Sequence, residues 1–214
     1  MTDPAALLGD AKAPIVDWDG TVADNTDARH AALQAALAPH AIAVPANRYR
    51  ALAGLPVREV IALLAADAGF PAPSVKDGVA RSRAALLAGP PPQPIPCTLE
   101  LLHTARSLGI PVAVASSAAA VLVHDGIHRL GLGALLPVAV TLDDVLRGKP
   151  APDVYPEAAR LLAVAPARCL AVDDAADGIA AALAAGMRTL AVRQGRFVPA
   201  TTADLPGALR ASKP

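Results

Sequence analysis

Apolar residues recur along this chain in two rhythms, and the change between them falls at a proline-rich tract. Ahead of the tract the spacing is helical. Ala31, Ala32, Ala35 and Ala36, with Leu33 and Leu37, predict one helix that Asn25 or Thr26 can cap and that Pro39 limits. Pro45 breaks the chain again, 46–52 reads as a short helix, and Gly54-Leu55-Pro56 turns into a helix over 57–68. Another is predicted over 74–88. The tract itself, Gly89-Pro90-Pro91-Pro92-Gln93-Pro94-Ile95-Pro96, favours an extended, semi-rigid connector.

Beyond the tract, short apolar runs alternate with helical segments. Helices are predicted over 98–108, 118–130, 152–164 and 176–185, and strands over 111–115, 138–141, 169–172 and 189–192. Such alternation gives right-handed crossovers and a parallel sheet covered on both faces. The apolar run ending at Ile15-Val16 reads as a further strand of that sheet, preceded by a partly ordered lead-in over residues 1–12. The fold class is therefore α/β, a parallel-sheet core over 1–26 and 95–214 with an all-helical insertion over 27–94.

A chain of 214 residues with 54% apolar content can bury a substantial core. Aromatics are only 2% and alanine is abundant, so helices should pack closely on small side chains. Nineteen basic residues balance nineteen acidic ones, which offers nothing to nucleic acid or to an anionic membrane. Cys97 and Cys169 suggest neither a disulfide scaffold nor a zinc site. With no secretory pattern and no apolar run near the roughly 20 residues that span a bilayer, a cytoplasmic protein is expected.

Four polar clusters follow apolar strands or precede helices: Asp17/Asp19, Ser116/Ser117, Lys149 and Asp173/Asp174. In an extended backbone Asp17 and Asp19 point the same way, and two carboxylates so close need a cation, a proton or wide exposure. Strand ends of a parallel sheet converge on one rim. Carboxylates, a hydroxyl and an ammonium meeting there suit the handling of a phosphoryl group.

In this arrangement the chain resembles the haloacid dehalogenase superfamily of phosphohydrolases. Asp17-Trp18-Asp19-Gly20-Thr21 resembles the first motif of that family and Ser116, after Val112-Ala113-Val114-Ala115, the second. Gly148-Lys149-Pro150-Ala151-Pro152-Asp153 is similar to the third, and Val172-Asp173-Asp174 with Gly178-Ile179 to the fourth. The insertion resembles the helical caps of the phosphoglycolate phosphatase and beta-phosphoglucomutase branch. The resemblance implies a Rossmann-like three-layer core with an inserted all-helical cap domain.

It also implies roles. Asp17 would be the nucleophile that forms an aspartyl-phosphate, and Asp19 the general acid, then base. Ser116 would bind a phosphoryl oxygen, with a plain helix cap as the competing reading for it and more so for Ser117. Lys149 would neutralise charge on the nucleophile and the transferring group. Mg²⁺ would be held by Asp17, Asp174 and the main-chain carbonyl of Asp19, with Asp173 a ligand either directly or through water. Gly20 lets the backbone turn beside a bound anion, and Thr21 either supports that loop or simply ends a strand. Trp18 points away from the carboxylates and packs.

Arg29, His30, Arg48, Arg50 and Arg58 are candidate substrate contacts in the cap, with 54–56 as a specificity loop; surface charge is the competing reading for each. Ala175 stands where the family commonly has Ser or Thr, which withdraws one supporting hydrogen bond. The mutase branch usually has a histidine where Arg29 aligns and a lysine near Ala53, and losing both argues for hydrolysis. The expected function is Mg²⁺-dependent hydrolysis of a small phosphorylated metabolite by a monomer or homodimer. A sugar phosphomutase and a catalytically idle binding module are the alternatives.

Overall fold

The computed structural model describes residues 3–52, 55–69 and 75–205. Ala53, Gly54 and the position 74 that opens a predicted helix lie outside them. The elements in chain order are α1 (Pro4–Leu8), β1 (Ala13–Val16), β2 (Ala23–Asp24), α2 (Thr26–Leu37), α3 (Ala46–Leu52), α4 (Val57–Asp67), α5 (Val75–Ala88), β3 (Gln93–Pro94), α6 (Pro96–Ser107), β4 (Ala113–Ala115), α7 (Ala120–Arg129), β5 (Val138–Val140), α8 (Val154–Leu161), β6 (Cys169–Asp173), α9 (Ala176–Ala184), β7 (Arg188–Arg193) and β8 (Arg196–Ala200). They form two compact units, Met1–Asp24 with Gln93–Pro214, and Asn25–Pro92. These boundaries fall two residues before those drawn from the sequence. Among the described residues no helix is long and apolar enough to cross a membrane.

The first unit holds a six-stranded sheet in the order β5-β4-β1-β6-β7-β8. β1 lies inside it, parallel to β4 and β6, and all four of its residues are buried. Strand parity divides the core in two. Ala13 and Ile15 of β1, Ala113 and Ala115 of β4 and Ala171 of β6 pack with Val154, Tyr155, Ala158 and Ala159 of α8 and with Ala181 and Ala182 of α9. Val16, Val114, Leu170 and Val172 face the other way, onto Leu8 of α1, Leu101 and Leu102 of α6, and Val123 and Ile127 of α7. Helices on both faces of a largely parallel sheet make three layers, a Rossmann-like core. The α8 face is built largely from alanine, so that helix approaches the sheet closely.

The structure corrects or adds to three expectations. Of the lead-in expected to be only partly ordered, residues 3–12 are docked: Asp3 caps α1 through the Ala5 amide, Leu8 is buried, and Arg188 donates to the Leu7 and Leu8 carbonyls. β8 was not foreseen, and it runs antiparallel to β7, so the sheet is not wholly parallel. Its hairpin turns on Gln194 and Gly195, both at positive φ (50° and 72°), the twist that two-residue hairpins require. The proline tract contributes β3, which pairs antiparallel with β2, and the Ile95 amide donates to the Val22 carbonyl.

The second unit packs α2, α3, α4 and α5 around Leu33, Leu37, Ile42, Val44, Tyr49, Val60, Ile61 and Leu64. In α2 the buried positions are Ala32, Leu33, Ala36 and Leu37, while Ala31 and Ala35 are exposed. Leucine removes more apolar surface from water than alanine, so the helix turns its leucines inward. His30 stacks on Tyr49 at 4.8 Å between ring centroids, and its Nε2 lies 2.7 Å from the Val44 carbonyl oxygen.

Candidate active site

Three neighbouring parallel strands, β4, β1 and β6, end on one rim of the core. Val16 pairs with Val114 on one side and with Val172 on the other, so Asp17, Ser116 and Asp173 leave the sheet at nearly one level. The Asp17 amide donates to the Val172 carbonyl (2.8 Å) and the Ser116 amide to that of Val140 (2.9 Å). By parity Asp17 and Asp173 continue the face of Ile15 and Ala171, toward α8. Both are buried, at 6% and 1% exposure. Trp18 turns to the opposite face and packs in the α6/α7 layer, where Gly126 leaves room for its ring.

After β1 the chain reverses on itself. The Trp18 carbonyl accepts from the amides of Val22 (3.0 Å) and Ala23 (2.9 Å), and the Gly20 amide donates to the Ala23 carbonyl (2.8 Å). Gly20 sits at φ +87°, and a Cβ there would lie 2.7 Å from Asp174 Cγ and 2.9 Å from its Oδ1. Only glycine admits both that backbone and that carboxylate. Thr21 is fully buried and donates its hydroxyl to Asp174 Oδ1 (3.1 Å), so it supports the acidic group. Arg193, at the end of β7, donates to the Asp174 carbonyl.

Lys149 arrives on the loop between β5 and α8, which is tied down at several points. Thr141 and Asp144 form a capping box, and Arg147 makes a two-pronged ion pair with Asp153 (3.1 and 2.8 Å). The Lys149 amide donates to Ser117 Oγ (3.3 Å). Its ammonium then lies 2.6 Å from Asp17 Oδ1 and 2.7 Å from Asp173 Oδ2, with the side chain only 6% exposed. Asp173 Oδ2 accepts also from the Tyr155 hydroxyl (2.7 Å), and Asp173 Oδ1 from the Ala175 amide (2.9 Å).

Burial pushes the Asp17 carboxyl well above the ordinary carboxylate range; Lys149 opposes this, and the charges of Asp173, Asp174 and Asp19 add to it. Burial, then the Asp173 charge, brings Asp174 up to about 6. For Lys149 burial disfavours the ammonium, but attraction to Asp17 and Asp173 outweighs that and holds it above its usual value. Burial, followed by the nearby carboxylates, keeps the Tyr155 phenol protonated well past its normal range.

Asp17, Asp173 and Asp174 each offer a carboxylate oxygen within 4.8 Å of the others. Three carboxylates against one ammonium leave a deficit of two positive charges in a poorly solvated place. Hard oxygen donors with that deficit fit a divalent cation such as Mg²⁺. The half-buried Asp19 carboxylate stands outside this cluster.

The family model for haloacid dehalogenase-like hydrolases matches residues 15–192, from β1 to β7. The chain belongs to this family. Among relatives, it is 31% identical over 177 residues to validoxylamine A 7'-phosphate phosphatase of Streptomyces hygroscopicus subsp. limoneus, covering 82% of this chain and 83% of that one. It is 30% identical over 183 residues to fructose-1-phosphate phosphatase YqaB of Escherichia coli (strain K12), covering 84% and 95%. The crystal structure of CbbY from Rhodobacter sphaeroides in complex with phosphate superposes with a TM-score of 0.74 at 26% identity, covering 84% of each chain. The chain is a phosphoric monoester hydrolase of the haloacid dehalogenase-like class.

Within this family member, the structure brings Asp17, Lys149, Asp173 and Asp174 together, with Gly20 and Thr21 against Asp174. Ser116 is buried and its Oγ accepts the Ala118 amide (3.1 Å), a local turn that leaves the hydroxyl proton available. Ser117 is exposed, its Oγ engaged with the Lys149 amide. Arg29 and Arg58 belong to the other unit, on α2 and α4. Reading the sequence passed over Tyr155 and Arg193. Nothing in local pattern separates Tyr155 from a core aromatic, but its place six residues after Lys149, in the first turn of a helix, was a usable signal.

Proposed function

We propose that this protein hydrolyses the phosphomonoester of a small phosphorylated metabolite with Mg²⁺, through an aspartyl-phosphate on Asp17. The observation that carries the reading is the Lys149 ammonium lying 2.6 Å from Asp17 Oδ1 within a cluster of three carboxylates. Asp17 and Asp174, with the main-chain carbonyl of Asp19, would hold the ion. Asp173 receives three hydrogen bonds, from Lys149, Tyr155 and Ala175, so it seats Lys149 as well as reaching the ion directly or through water. When bound, Mg²⁺ supplies positive charge against the nucleophile and the phosphoryl oxygens.

An Asp17 carboxylate oxygen attacks phosphorus, and the bond to the ester oxygen breaks as Asp19 gives that oxygen its proton. Asp19, now a carboxylate, takes a proton from water, whose oxygen attacks the same phosphorus and releases phosphate and free Asp17. Lys149 faces the charge that collects on the attacked group, and Ser116 donates its hydroxyl to a phosphoryl oxygen. Ser117 orders the Lys149 backbone, and Gly20 keeps space for Asp174. Arg29 and Arg58 are our candidates for substrate selection. The phosphatase relatives, one named for fructose 1-phosphate, support a small polar phosphoester.

Incubation with para-nitrophenyl phosphate and Mg²⁺ should release phosphate, and Asp17→Asn or EDTA should abolish it. Activity that survives either treatment refutes the proposal.

A further inference from the structure

The first turn of α8 delivers a phenol to a place where packing alone calls for a ring but for no hydroxyl. Val154, Ala158 and Ala159 around it are purely apolar, and the sheet face beneath is mostly alanine. Tyr155 is completely buried there. A buried phenol carries a polar group that costs on the order of 1–3 kcal/mol if left unbonded, which phenylalanine would avoid. The hydroxyl is bonded, and to one atom in particular: Asp173 Oδ2, at 2.7 Å.

The Lys149 ammonium reaches that same oxygen, also at 2.7 Å, and lies 5.1 Å from the centroid of the Tyr155 ring. Tyr155 therefore meets both members of the pair, through its edge and through its face. An ammonium on a four-carbon stem is a compact charge with three equivalent donors, and by itself it does not choose among neighbouring carboxylates. Here three carboxylates crowd within 4.8 Å of one another. A second donor on Oδ2 removes one of its lone-pair directions, and the Ala175 amide fixes the other oxygen, so Asp173 neither rotates nor offers Lys149 a second seat.

We propose that Tyr155 is a positioning residue: its hydroxyl locks the Asp173 carboxylate, and through it holds the Lys149 ammonium against Oδ1 of Asp17. This rests on the reading of Asp17 as nucleophile. Removing such a supporting hydrogen bond typically costs 10- to 100-fold in activity, and a displacement of about 1 Å at reacting groups costs a similar factor.

The test is Tyr155→Phe in the full chain, which keeps the ring and removes only the hydroxyl. Hydrolysis of para-nitrophenyl phosphate should lose at least about tenfold in kcat with KM changed by less than about twofold. The metal-free protein supplies an independent readout. With ¹⁵N-labelled lysine, the Lys149 ammonium, assigned by its loss in Lys149→Met, should be a slowly exchanging signal that shifts or broadens in Tyr155→Phe. A smaller change in kcat, or an ammonium signal that does not move, overturns the proposal. If Tyr155→Phe does not fold, the wild-type spectrum decides. A slowly exchanging Tyr155 hydroxyl proton with a cross-peak to the Lys149 ammonium supports the proposal, and its absence overturns it. Asp17→Asn reports separately on the nucleophile, since activity surviving it would end that reading while leaving the spectroscopic result intact.

Discussion

Replacing Gly178 with alanine sets two well-characterised effects against each other, and the structure says which wins. Gly178 lies inside α9, where alanine is normally better than glycine by about 1 kcal/mol. Helix propensity alone thus predicts a more stable protein. But a Cβ at this position would overlap Oδ2, Cγ and Oδ1 of Asp173 well inside any nonbonded distance. Asp173 has nowhere to go: it is 1% exposed and held by Lys149 (2.7 Å), Tyr155 (2.7 Å) and the Ala175 amide (2.9 Å). Overpacking of this kind costs about 1–3 kcal/mol, and each charged hydrogen bond weakened adds about 1.5–3 kcal/mol. With one such bond weakened and after the propensity gain, Gly178→Ala should destabilise the metal-free protein by roughly 1.5–5 kcal/mol, a fall in Tm of about 3–20 °C for a chain of this size. Urea denaturation in EDTA, followed by circular dichroism, measures it. In an Asp173→Ala background the clash is gone, and the same change should then be neutral or stabilising by up to about 1 kcal/mol, a coupling that a double-mutant cycle isolates. A Gly178→Ala protein as stable as the wild type would refute the packing argument.

Leu8→Ala should cost about 2–5 kcal/mol, because Leu8 is 1% exposed and anchors α1 in the core; an unchanged urea midpoint would mean that α1 is not docked. Burial pushes the Cys169 thiol up to about 11, so little thiolate forms at pH 8, and its reaction with Ellman's reagent should be on the order of 100-fold slower in the native protein than in urea. The native rate should rise as pH climbs toward 11, and rapid native labelling of Cys169 at pH 8 would contradict the burial.

Much of the core unit was legible because its signals are local. A run such as Cys169-Leu170-Ala171-Val172, set between two helical segments, reads as a buried strand, and the residues that follow it emerge at the sheet rim. Asp17, Lys149, Asp173 and Asp174 could accordingly be placed in one neighbourhood although the chain separates them by up to 157 positions. What escaped depends on tertiary context. α1 is five residues long and owes its order to Leu8 burial and to Arg188, 180 positions away. The β7–β8 hairpin turns on Gln194 in the left-handed region, where glutamine gives no warning. The inward face of α2 depended on where Leu33 and Leu37 find partners, which an alanine-rich stripe conceals. Apart from its place six residues after Lys149, Tyr155 reads as one more apolar residue until Asp173 is set beside it.

Pro199 stands in β8 opposite Leu190. Proline has no amide hydrogen to extend a ladder, so this margin is a poor template for a foreign strand. At the opposite margin β5 is only three residues long, too brief to register an incoming chain securely. Edge-to-edge growth of the sheet into fibrils or ribbons is thereby discouraged at both borders. This apolar, alanine-heavy chain has its protection against aggregation written into the backbone of its outermost strands.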